Sequence, residues 1–256
     1  MEVLFLGTCA CDYSPLLQTV YKDTFDKNAR RSSCALVNGR YLIDCGFHAM
    51  ESLRIAKINF AQITDIFITH FHSDHYNAEH IRQIAAVSER TLRVWVRFDA
   101  KTPDIAGVEW KYMQKATQYI VDESVKVTGL LANHDENSFP QHILLELDGK
   151  KVFYALDGAW FLNETWYQLK CAEVDLLVLD ATCGDYAGDY RIGEHNTIPM
   201  IRLMLPSLKS WGTLAENTQV YLTHLAPSLH KSHQDTVELV KADGLNVAYD
   251  GLRIEI

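Results

Sequence analysis

Five short apolar segments of this chain run directly into a histidine or an aspartate, residue types that commonly ligate metal ions. One such ending is common, because strands often stop at a polar residue. Five in one chain indicate that the carboxyl ends of several strands meet at one edge of a sheet, where a site can be built. The segments are residues 41–43, 65–69, 152–156, 175–179 and 219–223, and they are followed by Asp44, His70, Asp157, Asp180 and His224.

The densest group of such residues is H-F-H-S-D-H at positions 70–75, with three imidazoles and one carboxylate within six residues. In a loop after a strand, alternate side chains can point the same way, so we expect His70 and His72 to face one point. Asp74 and His75, at the start of the next helix, are expected to face a neighbouring point. Imidazole and carboxylate ligate zinc, manganese and iron, which predicts a metal site.

Predicted strands and helices alternate along the whole chain, with no linker-like stretch between them. Asn38-Gly39 and Asp148-Gly149 predict tight hairpin turns. Helices are predicted over residues 47–57, 75–88, 160–171, 197–210 and 232–243. We therefore expect a single domain over residues 1–256, of the α/β (α+β) class, with two packed sheets and helices outside.

The charge and cysteine content narrow the classes of partner. With 24 basic and 33 acidic residues, the net charge of −9 disfavours long nucleic acids, whose protein partners usually present a basic face. No apolar run approaches the roughly 18 residues of a membrane helix. Six scattered cysteines indicate reduced thiols, and no basic leader precedes the first apolar segment, so a cytoplasmic location is expected.

The segment T-H-F-H-S-D-H at residues 69–75 resembles the signature of the metallo-β-lactamase superfamily. Four further motifs resemble that family in the same order: L-I-D-C-G at 42–46, N-H at 133–134, D-G at 157–158 and T-H at 223–224. The resemblance implies a four-layer αββα sandwich with two divalent metal ions, zinc or manganese, with iron also open.

The resemblance also implies a ligand set for each ion. The first ion would be held by His70, His72, His134 and Asp157. The second would be held by Asp74, His75, His224 and the same Asp157. Asp44 is expected to accept a hydrogen bond from a ligand imidazole.

His195 lies in G-E-H-N-T at residues 193–197, just before a predicted helix. It resembles a histidine of the superfamily's phosphodiesterase branch, which includes the tRNA 3′-processing nucleases and the cyclic phosphodiesterase of phosphonate breakdown. That likeness implies that His195 reaches the phosphate and donates a proton to the leaving oxygen. His195 and Asp74 are therefore the candidate catalytic residues, and Asp180 is expected to orient the region of His195.

The loop at residues 9–31 holds further candidates. Arg30 and Arg31 are candidate substrate-binding residues, since a guanidinium suits bidentate contact with phosphate, although a solvated loop is the alternative. The phosphonate-pathway relative binds a structural zinc through a cysteine-rich loop. Here only Cys9 and Cys11 are present, so we do not expect a third metal. Trp160 could line the pocket.

The sequence thus predicts a dinuclear metal-dependent hydrolase acting on a small or cyclic phosphodiester through a metal-bridging hydroxide. Two alternatives are left open. One is hydrolysis of a carboxyl ester, meaning a lactone, thioester or β-lactam, at the same metal centre, and the other is a non-catalytic metal-binding domain. The expected partner is a small-molecule substrate, with no membrane, and a homo-oligomer is left open.

Overall fold

The computed structural model describes residues 1–256 and contains two seven-stranded sheets. The first sheet has the strand order β14-β1-β2-β3-β4-β5-β6 and the second β13-β12-β11-β10-β9-β8-β7. The strands are β1 Glu2–Gly7, β2 Cys34–Val37, β3 Tyr41–Ile43, β4 Asp65–Phe67, β5 Leu92–Arg97, β6 Val108–Met113, β7 Gln118–Asp122, β8 Val125–Leu131, β9 Gln141–Leu147, β10 Lys150–Ala155, β11 Val174–Asp180, β12 Leu214–Thr223, β13 Asn246–Val247 and β14 Arg253–Glu255. The helices are α1 Ala49–Ile55, α2 Ala78–Val87, α3 Asn163–Leu169, α4 Ile198–Ser210 and α5 His233–Val240.

Three hydrophobic cores separate four layers. Because successive side chains of a strand point to opposite faces, Val3 and Phe5 of β1 pack between the sheets, whereas Leu4 and Leu6 pack against the helices. The outer core of the first sheet includes residues of α1 and α2, and that of the second includes residues of α3, α4 and α5. This arrangement confirms the predicted αββα sandwich.

Both predicted hairpin turns and all five predicted helices are present in the structure. Asn38, Gly39, Asp148 and Gly149 all have positive φ, as a two-residue hairpin turn of the predicted kind requires. Two helix starts are corrected, and one of them is that of the helix predicted from residue 160, which begins at Asn163. The helix predicted from residue 75 begins at Ala78, because the Asn77 side chain accepts hydrogen bonds from the first turn and caps it.

Strand direction brings the predicted strand ends together. β3 and β4 are parallel neighbours in the first sheet, and β10, β11 and β12 are parallel neighbours in the second. Their carboxyl ends therefore lie at common edges. None of the five helices is long and apolar enough to cross a membrane.

Candidate metal centre

Three predicted site residues lie just beyond strand ends with a left-handed backbone. Asp44 follows β3 with φ 64°, Asp157 follows β10 after one residue with φ 48°, and His224 follows β12 with φ 57°. Non-glycine residues seldom adopt this conformation, which costs on the order of 1–3 kcal/mol and is concentrated at functional sites. The strands thus end in sharp turns that direct these side chains into one region.

The first cluster consists of His70, His72 and His134. His72 Nδ1 lies 3.1 Å from His70 Nε2 and 3.2 Å from His134 Nε2. Nitrogens bound at about 2.0–2.1 Å to a tetrahedral ion are about 3.3 Å apart, so these spacings fit ligands of a single ion. The three side chains belong to a set whose ligand atoms lie within 4.8 Å of one another.

The second cluster consists of Asp74, His75, Asp157 and His224, all buried. His75 Nε2 lies 3.2 Å from His224 Nε2 and 3.3 Å from Asp74 Oδ2. Two imidazoles with two carboxylates form a donor set suited to a divalent ion, and the spacings again fit one coordination sphere.

Asp157 faces both clusters. Its Oδ2 lies 3.0 Å from His70 Nε2 and 2.8 Å from His75 Nε2, and its Oδ1 lies 2.9 Å from His224 Nε2. One carboxylate therefore contacts imidazoles of both sets. Asp157 is thus the carboxylate that lies between the two sets of imidazoles.

The electrostatics of the centre favour a cation. Burial alone would raise the pKa of Asp157, but His224, His75 and His70 outweigh it and hold this pKa well below its usual range. Burial opposes a charge on His224, yet Asp157 raises the pKa of His224 to about 10. Burial lowers the pKa of His134 to about 3. The low pKa of Asp157 favours its ionised form, which needs positive charge beside it, and a metal ion would supply that charge.

Buried partners hold the imidazoles of the second cluster. His75 Nδ1 lies 2.7 Å from Asp44 Oδ2, so Nδ1 donates a hydrogen bond to Asp44 and Nε2 faces the centre. The Thr69 amide donates to Asp44 and fixes that carboxylate. On the other side, Thr182 Oγ1 accepts from His224 Nδ1 at 2.7 Å and donates to the His224 carbonyl.

Sequence reasoning missed Thr69 and Thr182. Thr182 lies 42 residues from the histidine that it orients, so only the fold brings the two together. The one sequence signal is position, since Thr69 precedes His70 and Thr182 follows the strand that ends at Asp180.

His195 lies beside the second cluster. Its Nδ1 is 2.7 Å from Asp180 Oδ2, and its ring stacks on His224 with centroids 5.4 Å apart. Asp180 is buried and also accepts hydrogen bonds from the Thr182 and Asn196 amides. Asp180 therefore accepts a hydrogen bond from His195 Nδ1, whereas His195 Nε2 makes no hydrogen bond to the protein. The backbone amide of Trp160 donates a hydrogen bond to Oδ1 of Asn196, the residue that follows His195.

Arg30 and Arg31 require a correction. Arg30 Nη1 donates to Thr8 Oγ1 and the Ala248 carbonyl, both at 2.6 Å. Arg31 is fully buried and donates through Nε and Nη2 to Glu51 Oε1. Their donors are used in fixing the 9–31 loop to the fold, so the expected contact of these arginines with substrate is not supported.

Gly46 allows the loop after β3 to lie against the ligand loop. A Cβ at this position would lie 1.7 Å from the Asp74 carbonyl oxygen. We expect Gly46→Ala to lower the free energy of unfolding by about 1–3 kcal/mol or more, because the backbone beside Asp74 must shift. Chemical denaturation measures this. Gly193→Ala, which meets no atom within 4 Å, is the control, and equal stability of the two variants would contradict the packing argument.

Comparison with known proteins agrees with this geometry. Ribonuclease Z from Pyrococcus furiosus is 32% identical over 97 residues, which are 38% of this chain and 26% of that protein. The matched segment thus spans about a quarter of that relative.

Three solved structures share the fold at low identity. YhfI from Bacillus subtilis, described as a metallo-β-lactamase fold protein, has a TM-score of 0.74 at 15% identity and covers 100% of this chain and 98% of its own. A diphosphatase of the PhnP family has a TM-score of 0.71 at 19% identity, covering 100% and 97%. The short form of human tRNase Z has a TM-score of 0.68 at 20% identity, covering 100% and 99%.

These structures confirm the predicted metallo-β-lactamase-like fold, and the two clusters are groups of side chains able to hold a metal ion. The model of the β-lactamase superfamily domain matches residues 39–225, well over half of the chain, and this span includes every residue of both clusters. The chain therefore belongs to the β-lactamase superfamily.

Proposed function

We propose that this protein is a dinuclear metal-dependent phosphodiesterase that hydrolyses a small or cyclic phosphodiester. One observation carries the proposal. His195, whose Nδ1 is hydrogen-bonded to Asp180, has a free Nε2 beside the second cluster, and Asp157 contacts imidazoles of both clusters. The names of similar proteins, ribonuclease Z, tRNase Z and a PhnP-family diphosphatase, support chemistry at phosphorus.

The residues present fit the two ions. The first cluster with Asp157 would hold one, and the second cluster would hold the other. Bound there, the ions would activate a water molecule and neutralise charge on the phosphoryl oxygens. Asp157 and Asp74 keep their lone pairs available because neighbouring imidazoles favour their ionised forms.

In this proposal, His195 donates a proton to the leaving group, which the ions do not do. With Nδ1 hydrogen-bonded to Asp180, the imidazole ring is held in one orientation, and Nε2 is free to carry a proton towards the centre. A proton delivered from Nε2 to the departing alkoxide would assist cleavage of the bond between phosphorus and the leaving oxygen. The ring also stacks on that of His224, which belongs to the second cluster.

The test compares substrates on metal-loaded protein. We expect turnover of bis(p-nitrophenyl) phosphate and of a cyclic nucleotide, and loss of both after removal of metal with a chelator. Turnover of a thioester or lactone alone would overturn the proposal in favour of carboxyl-ester chemistry. Two bound metal equivalents with no hydrolysis of any of these substrates would favour a non-catalytic metal-binding domain.

The substrate panel also needs an RNA with a 3′ extension. The charge of −9 led us to expect that long nucleic acids are disfavoured. The similarity to proteins named ribonuclease Z and tRNase Z does not fit that expectation well. Cleavage of the RNA in preference to the small diesters would replace the small-substrate part of the proposal.

A further inference from the structure

The two clusters differ in the residues that lie next to the outer ring nitrogens of their imidazoles, meaning the nitrogens that face away from the cluster. The second cluster is supported by Asp44 and Thr182, both buried. The first cluster lies nearer the solvent, since the His72 side chain is 41% exposed. The only carboxylates near the outer nitrogens of His72 and His134 are Asp135 and Glu194.

Asp135 faces the outer nitrogen of His72. The Nδ1 of His72 points to the cluster, 3.1 Å from His70 Nε2, so a ligating His72 carries its proton on Nε2. That Nε2 lies 3.4 Å from Asp135 Oδ2. The other oxygen, Oδ1, accepts from the Asn137 amide and holds the carboxylate in place.

Glu194 faces the outer nitrogen of His134. The Nδ1 of His134 is buried and has no hydrogen-bond partner. Glu194 Oε2 lies 3.8 Å away, on a side chain that is 54% exposed. An unsatisfied buried donor costs about 1–3 kcal/mol, so a small movement of Glu194 onto Nδ1 is favourable.

We propose that Asp135 and Glu194 are positioning residues that orient His72 and His134, and that they set the affinity of the first metal site without changing the second. This inference rests on the proposed metal centre but not on the identity of the substrate. Acceptors of this kind fix the tautomer of a ligand imidazole and increase its basicity, and their loss typically weakens metal binding about 10–100-fold.

Three variants test whether Asp135 and Glu194 act by orienting the imidazoles of His72 and His134 or only by stabilising the fold. Glu194→Ala removes the acceptor, whereas Glu194→Gln keeps an amide oxygen that can accept from His134 Nδ1. Asp135→Ser is too short to reach His72 but still caps the turn at residues 136–138. Asp185→Ala is the matched control, an exposed acid in the segment between β11 and α4 without an ion pair.

The experiment titrates metal-free protein with Zn²⁺ against a chromophoric chelator, which yields an affinity for each ion. We expect Glu194→Ala and Asp135→Ser to weaken one affinity at least tenfold and leave the other unchanged, with Glu194→Gln and Asp185→Ala close to wild type. Ring-nitrogen NMR shifts of His72 and His134 identify the weakened site.

Equal weakening of both sites, or no weakening, would overturn the inference. Wild-type protein that binds fewer than two ions would also overturn it. Two ions with selective weakening but no phosphodiester turnover would support the positioning role while defeating the proposed function.

Discussion

Asp157→Ala is expected to lose both metal ions, so that protein equilibrated with a small excess of Zn²⁺ retains none after desalting. The reason is geometric, because the Asp157 carboxylate lies within 3.0 Å of imidazole nitrogens from both clusters. Without it, each site loses an anionic ligand and the charge that favours a cation there. Metal content by mass spectrometry and chelator competition measure the loss, and hydrolytic turnover should disappear with it.

Asp157→Asn tests how the negative charge of Asp157, as distinct from the size of its side chain, affects metal binding. The amide keeps the size of the side chain and one ligand oxygen, so we expect a folded protein that binds metal more weakly than wild type. Thermal unfolding of the metal-free variants checks that both remain folded. If folded Asp157→Ala retains two equivalents of metal, Asp157 is not the shared ligand and the two clusters do not form one centre.

The residues of the two clusters could be singled out from the sequence because the signal is local. His70, His72, Asp74 and His75 lie within six residues, and Asp157 and His224 each follow an apolar strand. Strand ends in parallel sheets meet at one edge, so these residues converge once the strands are placed. The αββα order of layers was expected from the family resemblance, and in the structure alternate residues of β1 pack on opposite faces of the sheet.

The partners of the ligands could not be predicted in this way. Thr182 orients His224 across 42 residues, and Glu194 approaches His134 across 60. Threonine and glutamate are common at surfaces and turns, so neither residue type marks a role in a metal centre. Strand pairing, such as that of β11 with β12, and the path of the loops beyond the strands decide which hydroxyl or carboxylate lies next to which imidazole.

For Arg30 and Arg31, in contrast, the sequence predicted a contact with substrate that the structure does not support. Arg30 and Arg31 in a polar loop suggested an exposed phosphate contact, because local composition gives no information on burial. The chain instead folds Glu51, 20 residues away, against Arg31, and brings the Ala248 carbonyl to Arg30 from the far end of the sequence.

The strand β7 at Gln118–Asp122 was not predicted from the sequence. It lies at the edge of its sheet, pairs along one side only and leaves Ile120 75% exposed, so its pattern of apolar residues is weak.

His195→Ala is expected to retain both metal ions and to lose phosphodiester turnover by about 10²–10⁴-fold, the range typical of a general acid. Metal binding should persist because His195 belongs to neither cluster and its hydrogen bond goes to Asp180. Metal content and kcat are measured on the same preparation. Asp180→Asn should give a smaller loss of kcat, because it weakens the orientation of the ring without removing it.

The identity of the leaving group separates proton donation from a merely electrostatic role. A p-nitrophenolate leaves without a proton, whereas an alkoxide needs one. We therefore expect His195→Ala to slow cleavage of an alkyl phosphodiester far more than cleavage of the p-nitrophenyl diester. Equal losses for both substrates would indicate that His195 stabilises phosphoryl charge and does not act as the acid, and unchanged turnover of both would remove His195 from the reaction.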